Sequence, residues 1–395
     1  MKLLVVTNLF GFPWDRSRGI FNQQQFDRLA KHVDLSVLVA VPWLDALRRP
    51  REYWRAREEG RKHWPYVDYF VFWYVPGIGQ FLHSWFFFAS LLLQRPLDML
   101  TRRHDAMLGS WGFPDAVAVS MAGALTRTPT LMKVHGTDVN DYLDVPSKRW
   151  QILSAARRSS AVMCPSRALK TKLVEAGIPD SQVSVIYNGV DGHAFNPRDK
   201  LAARGRLGMA ADASLVLFVG NLKPSKGCAD LLEAFIVLAA SNPKARLAFV
   251  GGGDAMRPMQ SRAQEAGIAD RVTFAGKAPH AELPEWFAAS DVLSLPSHNE
   301  GVPNVVLEAM SCGRPVVATA VGGIPEILPR FAGILVKPRD IAGIAQALEE
   351  ALSCDWSIDR ITQHARQFDW DTNVRNALAL IEQAAAARIQ QAASR

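Results

Sequence analysis

Short apolar runs rich in β-branched residues alternate with longer helical patterns along almost the whole chain, and this alternation limits the fold more than any other feature. Strands that alternate with helices build parallel sheets with crossover helices. In the first half, seven runs are predicted as strands: Leu3–Thr7, Leu35–Val41, Asp68–Val75, Ala106–Gly109, Thr130–Val134, Ala161–Cys164 and Val183–Ile186. In the second half the strands are "SLVLFVG", "ARLAFVGGG", "RVTFAG", "DVLSLPS", "PVVAT" and "GILVKP". The sequence therefore predicts an α/β protein.

The 395 residues exceed what one hydrophobic core usually holds, so two domains are expected. The polar, basic stretch from Phe195 to Gly208 is predicted as a linker. The predicted domains are residues 1–195 and 196–368, both doubly wound, and residues 369–395 form an Ala-rich helix expected to pack back on the first domain. Ligands bind at the carboxyl ends of such strands, so the two domains are expected to face a shared cleft.

Composition and charge narrow the class of protein. The four cysteines show no metal-ligand or disulfide spacing, which favours a reduced compartment. The N-terminus is typical of a first strand, not a signal peptide, and the longest apolar run is about half a membrane span. A cytoplasmic protein is therefore expected. Residues 1–195 carry 24 Lys and Arg against 17 Asp and Glu, whereas the remainder carries 21 of each. No nucleic-acid-binding motif accompanies this basic half, so no nucleic-acid partner is expected.

Residues 43–103 combine basic and aromatic segments, "LRRPREYWRAREEGRKHW" and "FLHSWFFFASLLLQR". Aromatic side chains at a bilayer interface and arginines near headgroups would suit peripheral contact with an anionic membrane, on its inner face. The alternative is that Phe86–Leu93 is a buried core helix and that the charge is a solvated face.

A segment late in the chain, "HNEGVPNVVLEAMSCGRPVV", places two carboxylates eight positions apart. A helix is predicted to begin near Pro303, so the N–H groups before and after it form an anion site. Glu300 precedes this helix and Glu308 lies about one turn inside it. An extended ligand with hydroxyls at both ends and phosphate between them would fit, as a nucleotide sugar does. The alternatives are a turn role for Glu300 and a buried Arg or Lys partner for Glu308.

The longer segment "HNEGVPNVVLEAMSCGRPVVATAVGGIPEIL" closely resembles the donor-binding segment of retaining glycosyltransferases of family 4, which have the GT-B fold. "LFVGNLKPSKGCADLLEAF" is similar to the phosphate loop of that family, and "VSVIYNGVDGHAF" to the segment entering its linker. "LMKVHGTDVND" resembles its histidine loop, and "LGSWGFPDAVA" is also similar to family sequence. These segments occur in the family's order over most of the chain.

The resemblance implies roles for individual residues around a nucleotide-sugar donor. Glu300 would contact sugar hydroxyls and Glu308 the ribose hydroxyls, since ionised acceptors make strong hydrogen bonds. Lys226, in "PSKG", would neutralise the diphosphate. The backbone across one short segment would hold the sugar and the diphosphate: Gly301, Val302, Pro303, Asn304 and Val305.

Other donor-side positions are less specific. The family usually has an arginine where this chain has Asn221, which removes one positive charge, and Lys223 is a candidate substitute. Gly251 lies in the glycine-rich turn "VGGGD". The loop "FAGKAP" resembles the one that holds the base, which makes three residues candidates: Gly276, Lys277 and Ala278.

On the acceptor side, the resemblance places His135, in "VHGTD", near the reacting face of the transferred sugar. Asp138 in the same loop either orients His135 or begins the following helix. Gly19 resembles the family's glycine turn before the first helix, where a second glycine is usual and this chain has Arg18. Neither a metal site nor a cofactor is expected.

The sequence thus predicts a metal-independent retaining hexosyltransferase. Its donor would be a nucleoside diphosphate sugar and its acceptor a glycan or polyprenyl-linked hydroxyl in envelope or exopolysaccharide synthesis. Two alternatives stay open: a GT-B nucleotide-sugar epimerase or phosphorylase, and a non-catalytic sugar-nucleotide-binding protein.

Overall fold

The computed structural model of this protein describes residues 1–12, 14–15, 18–77, 79–95 and 104–393. The chain divides into two compact units. The first unit contains residues 1–187 together with 370–395, and the second contains residues 188–369. The chain therefore passes from one unit to the other twice, after Tyr187 and after Asp369.

The first unit is built on a seven-stranded parallel sheet. Its strands are β1 (Lys2–Thr7), β2 (Asp34–Pro42), β3 (Val67–Phe72), β4 (Ala106–Ser110), β5 (Thr130–Lys133), β6 (Ala161–Cys164) and β7 (Val183–Val185). Their order is β3-β2-β1-β4-β5-β6-β7. Because both faces of the sheet are covered by helices, the strands are apolar and almost entirely buried.

Helices connect these strands as the alternating pattern predicts. They are α1 (Ile20–Leu29), α2 (Trp43–Arg48), α3 (Pro50–His63), α4 (His83–Gln94), α5 (Val117–Thr126), α6 (Thr137–Asn140), α7 (Pro146–Arg158) and α8 (Arg167–Glu175). Helix α4 has Phe87 and Leu91 fully buried, whereas Trp85 and Leu93 are exposed. The alternative that Phe86–Leu93 is a buried core helix is therefore true of only one side of α4. Residues 96–103 of the proposed membrane segment lie outside the described residues.

The second unit is built on a six-stranded parallel sheet of order β10-β9-β8-β11-β12-β13. Its strands are β8 (Ser214–Val219), β9 (Ala245–Val250), β10 (Val272–Gly276), β11 (Val292–Leu295), β12 (Val316–Thr319) and β13 (Gly333–Val336). Its helices are α9 (Lys200–Arg206), α10 (Cys228–Ser241), α11 (Met256–Glu265), α12 (Leu283–Ala289), α13 (Asn304–Ser311), α14 (Ile324–Ile327), α15 (Ile341–Ser353) and α16 (Ile358–Ala365). Two doubly wound, Rossmann-like units confirm the predicted fold class.

The linker predicted from Phe195 to Gly208 is wrong, because this segment lies within the second unit and helix α9 occupies half of it. The Asp199 side chain caps this helix by accepting a hydrogen bond from the Ala202 N–H at 2.6 Å. Its basic composition misled the prediction, since Arg204 is buried and pairs with Asp291 at 2.7 Å. The second unit also begins earlier than expected, at Asn188.

The chain ends in helix α17 (Trp370–Ala393), which belongs to the first unit. Val374, Ala377 and Ile381 lie in the same hydrophobic cluster as β1 and α1. Over the part of the chain that the structure describes, no helix is both long and apolar enough to span a bilayer.

Candidate functional site

Each sheet has one place where the strand order reverses, and this is where ligands bind in open α/β sheets. In the second unit the reversal lies between β8 and β11, which pair through Val292 and Leu293. The loops that follow these two strands carry Lys226 and Glu300, respectively. Two sequence-predicted site residues therefore lie at the position where a doubly wound sheet binds its ligand.

The Lys226 ammonium and the Glu300 carboxylate form a close ion pair. Lys226 Nζ lies 2.6 Å from Glu300 Oε1, and Ser297 Oγ donates to the same carboxylate oxygen at 2.7 Å. Glu300 is only 9% exposed, so its charge is held by partners as a buried carboxylate requires. The pair places a cation and a hydroxyl-binding acceptor next to each other, which suits a ligand containing both phosphate and sugar.

The local backbone explains why these two loops approach so closely. Gly227 has φ +63°, and a Cβ at this position would lie 1.9 Å from the Pro296 carbonyl oxygen. His298 N–H also donates to the Ser225 carbonyl at 2.9 Å. Only glycine at position 227 allows the phosphate-type loop after β8 to pack against the loop after β11.

Helix α13 begins one residue after Pro303, close to the predicted start. The first N–H groups of a helix have no partner inside it, so this end can receive an anion. Gly301, Val302 and Pro303 are buried, Asn304 Oδ1 accepts a hydrogen bond from Asn188 Nδ2 at 2.9 Å, and Val305 is half-buried.

Glu308 lies on the first turns of α13 and is 8% exposed. Its Oε1 is 2.9 Å from His280 Nε2, so the partner is a histidine and not the buried Arg or Lys considered from the sequence. His280 also contacts the Phe195 ring, with the ring centroids 5.0 Å apart. Sequence reasoning missed His280, although it lies only two residues after Ala278.

The remaining donor-side candidates lie on neighbouring loops after β9, β10 and β8. Gly251 N–H donates to the Gly276 carbonyl at 2.7 Å, which brings the two glycine-containing turns together. Lys277 is exposed and Ala278 half-buried in the turn after β10. Asn221 is exposed after β8, where it lies in the same loop as Lys226.

In the first unit, His135 directly follows β5 near that sheet's own reversal between β1 and β4. Its ring lies between Phe21, with centroids 4.9 Å apart, and Trp111, at 5.9 Å and nearly parallel. Its Nε2 is 3.2 Å from Ser110 Oγ. Burial first, and then the positive charge of Lys133, hold the pKa of His135 well below its usual range. The imidazole is therefore neutral at physiological pH.

Asp138 is fully buried and holds the backbone of the histidine loop. Its carboxylate accepts hydrogen bonds from the N–H groups of His135, Gly136 and Gly112 at 2.8 to 3.1 Å. Burial nevertheless raises the pKa of Asp138 above its usual value. Of the two roles considered, the geometry favours orienting the loop that carries His135.

Asp115, Asn8 and Arg18 form a second cluster that the sequence did not single out. Asp115 is fully buried and accepts from Asn8 N–H at 2.6 Å and Asn8 Nδ2 at 3.1 Å. Arg18 Nε donates to the Asn8 carbonyl at 3.0 Å, and burial raises the pKa of Asp115 well above its usual value. Gly19 follows with φ +62°, and a Cβ there would lie 2.5 Å from the Leu9 carbonyl oxygen. Gly19 thus permits the turn that brings Arg18 back over β1.

A buried lysine beneath His135 was also missed. Lys133 is 6% exposed, and its Nζ donates to Asn22 Oδ1 at 3.0 Å and to Gln25 Oε1 at 2.5 Å. Burial lowers the pKa of Lys133 to about 7. The signal in the sequence was one cation within a β-strand that is otherwise apolar, "TLMKV".

Within the described ranges, no group of three or more His, Cys, Asp or Glu side chains could hold a metal ion.

Two family models match the chain in succession. The model of Glycosyltransferase Family 4 matches residues 27–193, and that of Glycosyl transferases group 1 matches residues 199–368. Together they cover most of both units, and each falls almost wholly within one of them.

Individual relatives agree with these matches. The chain is 28% identical over 361 residues to the Bacillus subtilis protein TuaC, named for teichuronic acid biosynthesis, covering 89% of this chain and 88% of TuaC. It is 40% identical over 206 residues to D-inositol 3-phosphate glycosyltransferase from Stackebrandtia nassauensis, covering 49% of this chain and 46% of that protein. The chain thus spans about half the length of relatives of this second kind.

Among solved structures, Anabaena HepE superposes with a TM-score of 0.77 at 21% identity, covering 97% of this chain and 100% of HepE. At this identity the likeness concerns the fold.

Proposed function

The chain belongs to the family 4, group 1 glycosyltransferases of GT-B fold, and on this basis we propose that it transfers a hexose from a nucleoside diphosphate sugar to a hydroxyl acceptor. The observation that carries the proposal is the Lys226–Glu300 pair at the reversal of the second sheet, 2.6 Å apart. A cation beside a buried hydroxyl-binding carboxylate matches the junction between diphosphate and sugar in such a donor.

The donor would lie along the loops at the carboxyl end of the second sheet. Glu300 would bind the sugar hydroxyls, Lys226 the diphosphate, and Glu308 the ribose, with His280 holding Glu308 in place. HepE has been solved in complex with UDP and with UDP-glucose, which supports a uridine diphosphate sugar as the first donor to test.

Bond cleavage would be assisted by electrostatic stabilisation of the leaving group. Lys226 and the N-terminus of α13 would stabilise the charge that develops on the diphosphate. Retention would follow from front-face attack through a short-lived oxocarbenium-like pair. The two-carboxylate scheme of glycosidases is not part of the proposal, because Glu300 and Glu308 are each assigned to hydroxyls of the donor. His135 would act at the reacting face of the sugar.

The acceptor would be a glycan or polyprenyl-linked oligosaccharide of the cell envelope or of an exopolysaccharide. The similarity to TuaC over 88% of its length, and its association with teichuronic acid biosynthesis, support this class. An epimerase or phosphorylase of the same fold would use the same donor loops.

The test is a donor panel with the purified full chain: UDP-, GDP- and ADP-glucose, with release of nucleoside diphosphate as the readout. Release from one donor, lost in Glu300→Ala and retained in the exposed control Glu349→Gln, is the expected result. Turnover of none of the three donors would overturn the proposal. Nucleotide-sugar conversion without diphosphate release would instead indicate an epimerase.

Exposed aromatic side chains of the first unit support peripheral binding to an anionic bilayer. Trp54, Trp73, Phe81 and Trp85 are each more than half exposed on or near α3 and α4. Trp85→Ser with Trp73→Ser is expected to reduce co-sedimentation with anionic vesicles at low salt. Val237→Ser, an exposed apolar position in the second unit, is the control. Absence of vesicle binding by the unmodified chain would contradict this part of the proposal.

A further inference from the structure

The buried hydrogen bonds around Lys133 have directions that can be worked out from the chemistry of the groups. Lys133 Nζ is a donor, and one of its two partners on α1 is the Asn22 amide, 3.0 Å away. The Asn22 Nδ2 group donates to the Leu9 carbonyl at 2.8 Å. Oδ1 of Asn22 must therefore face Lys133, because the amide is fixed from both ends.

Ser110 comes next in the chain of contacts. Its Oγ lies 3.2 Å from Asn22 Oδ1 and 3.2 Å from His135 Nε2. Two oxygens cannot share a hydrogen bond without a proton between them, and Asn22 Oδ1 has none to donate. The single Ser110 hydroxyl proton therefore points to Asn22, and Ser110 Oγ is left to accept from His135.

The last step concerns the imidazole. If Ser110 Oγ accepts from His135, then Nε2 carries the ring proton and Nδ1 is the acceptor of the neutral ring. Within the described part of the chain, His135 Nδ1 has no hydrogen-bonding partner. The arrangement leaves Nδ1 as the nitrogen available to a substrate hydroxyl.

We propose that Asn22, held by Lys133 and by the Leu9 carbonyl, fixes the tautomer of His135 through Ser110, so that the ring presents Nδ1 as a hydrogen-bond acceptor. Asn22 and Ser110 are positioning residues. The catalytic consequence rests on the proposed function, in which the hydroxyl that donates to Nδ1 belongs to the bound sugar or acceptor. The tautomer itself does not depend on that function.

The hydrogen bonds from Lys133 to Asn22 and Gln25 do not require Lys133 to stay charged. A neutral amine still has two N–H groups, which is enough for Asn22 and Gln25. Gln25 Nε2 donates to Asn373 Oδ1 at 2.6 Å, so Gln25 Oε1 also faces the lysine. Asn373 Nδ2 in turn donates to the Tyr187 carbonyl at 2.6 Å. Lys133 thus serves two arms, of which one reaches His135 and the other ends at Tyr187.

The test reads the tautomer directly, from the imidazole ¹⁵N shifts of the full chain at pH 8. His135 is identified among the nine histidines by its absence in His135→Gln. The unmodified protein is expected to show a protonated-type Nε2 and an unprotonated-type Nδ1. Asn22→Leu should shift the two nitrogens toward each other, since Ser110 is then free to donate to Nε2. Lys133→Met leaves the Asn22 amide held by the Leu9 carbonyl and should preserve the shifts. Asn22→Asp keeps an acceptor and should preserve the original shifts.

Asn373→Leu is the matched structural control, because it breaks buried hydrogen bonds of the arm that does not reach His135. It should leave both nitrogen shifts in place. If Asn22→Leu does not fold, Ser110→Ala removes only one oxygen and should give the same convergence of shifts. A proton on Nδ1 in the unmodified chain would overturn the proposal, as would unchanged shifts in Asn22→Leu.

Activity provides a separate readout. Asn22→Leu should lower kcat for donor turnover by roughly tenfold, with the Kd for the nucleoside diphosphate unchanged, because the donor loops lie in the second unit. If no donor is turned over at all, the proposed function fails while the ¹⁵N result still decides the tautomer.

Discussion

The two candidate sites of this protein bring polar groups together in opposite ways. In the second unit, Lys226 meets Glu300 and His280 meets Glu308, each pair within 3 Å and with a charged partner. In the first unit, the groups beneath His135 are neutral amides, one hydroxyl and one lysine, with no carboxylate contacting the lysine among the described residues. In the proposals made above, the first arrangement binds a charged ligand, whereas the second orients one ring.

The two sites differ in how far solvent or a ligand can replace a polar partner. In each charged pair the carboxylate is buried but its partner, Lys226 or His280, is partly exposed, so a ligand can exchange for that partner without leaving a charge bare. Lys133 is buried against neutral amides and two phenylalanine rings and has no such exchange available, so the fold carries the cost of its burial. The donor site is therefore expected to respond to mutation in binding and turnover, and the histidine site in stability and orientation.

The largest expected effect is a loss of turnover when the Lys226–Glu300 pair is broken. Lys226→Met removes the cation that would stabilise the leaving diphosphate, so kcat for donor turnover should fall by about 10²- to 10³-fold. Steady-state release of nucleoside diphosphate measures it. Lys244→Met, an exposed lysine of the second unit paired only with exposed Asp212, should change kcat little. Equal losses in both variants would show that the site is not specific.

The next largest effect is on the pH dependence of stability, and it tests the burial of Lys133 in the first unit. The pKa of Lys133 is lowered to about 7 in the folded chain, from an ordinary 10.5. Between these values the unfolded chain binds more protons than the folded one, so stability rises with pH, by roughly 1.4 kcal/mol per unit. Below pH 7 both states are protonated and the full cost of burial is present.

Lys133→Met should remove this rise between pH 7 and 10.5. Denaturant unfolding followed by tryptophan fluorescence reports mainly the first unit, since eight of the eleven tryptophans precede residue 151. Lys172→Met, an exposed lysine of the same unit, should keep the unmodified slope. Parallel pH slopes for the Lys133→Met and unmodified proteins would contradict the lowered pKa.

The same contrast explains what the sequence could predict. The strand pattern identified both sheets, with Ala161–Cys164 matching to the residue. Glu300 and Glu308 could be proposed as site residues from the sequence because their motif is local. The lysine network was not found because Lys133 and Asn22 are 111 residues apart, and Gln25 and Asn373 are 348 apart. Neutral amides carry no local signal of such pairing. The predicted linker failed for a related reason, since the burial of Arg204 depends on Asp291.

A smaller effect is expected on the affinity for UDP when the partner of Glu308 is removed. His280→Ala leaves Glu308 without its 2.9 Å partner, so binding of UDP should weaken roughly tenfold. His280→Asn still offers an N–H donor and should recover part of the affinity, as measured by calorimetry. His193→Ala, at an exposed position of the same unit, is the control. Unchanged affinity in His280→Ala would mean that Glu308 does not need this histidine to bind the ribose.

The smallest effect concerns a charge that this chain lacks. Asn221 is exposed where the family usually has an arginine, so Asn221→Arg should tighten UDP binding by about threefold, the scale of an exposed ion pair. The gain should shrink as salt is raised, because exposed charges are screened. Asn221→Gln matches the change in length without the charge and should leave the affinity unchanged. Equal affinities of the Arg and Gln variants at low salt would show that Lys226 and the start of α13 already saturate the diphosphate, and that the charged site is complete without position 221.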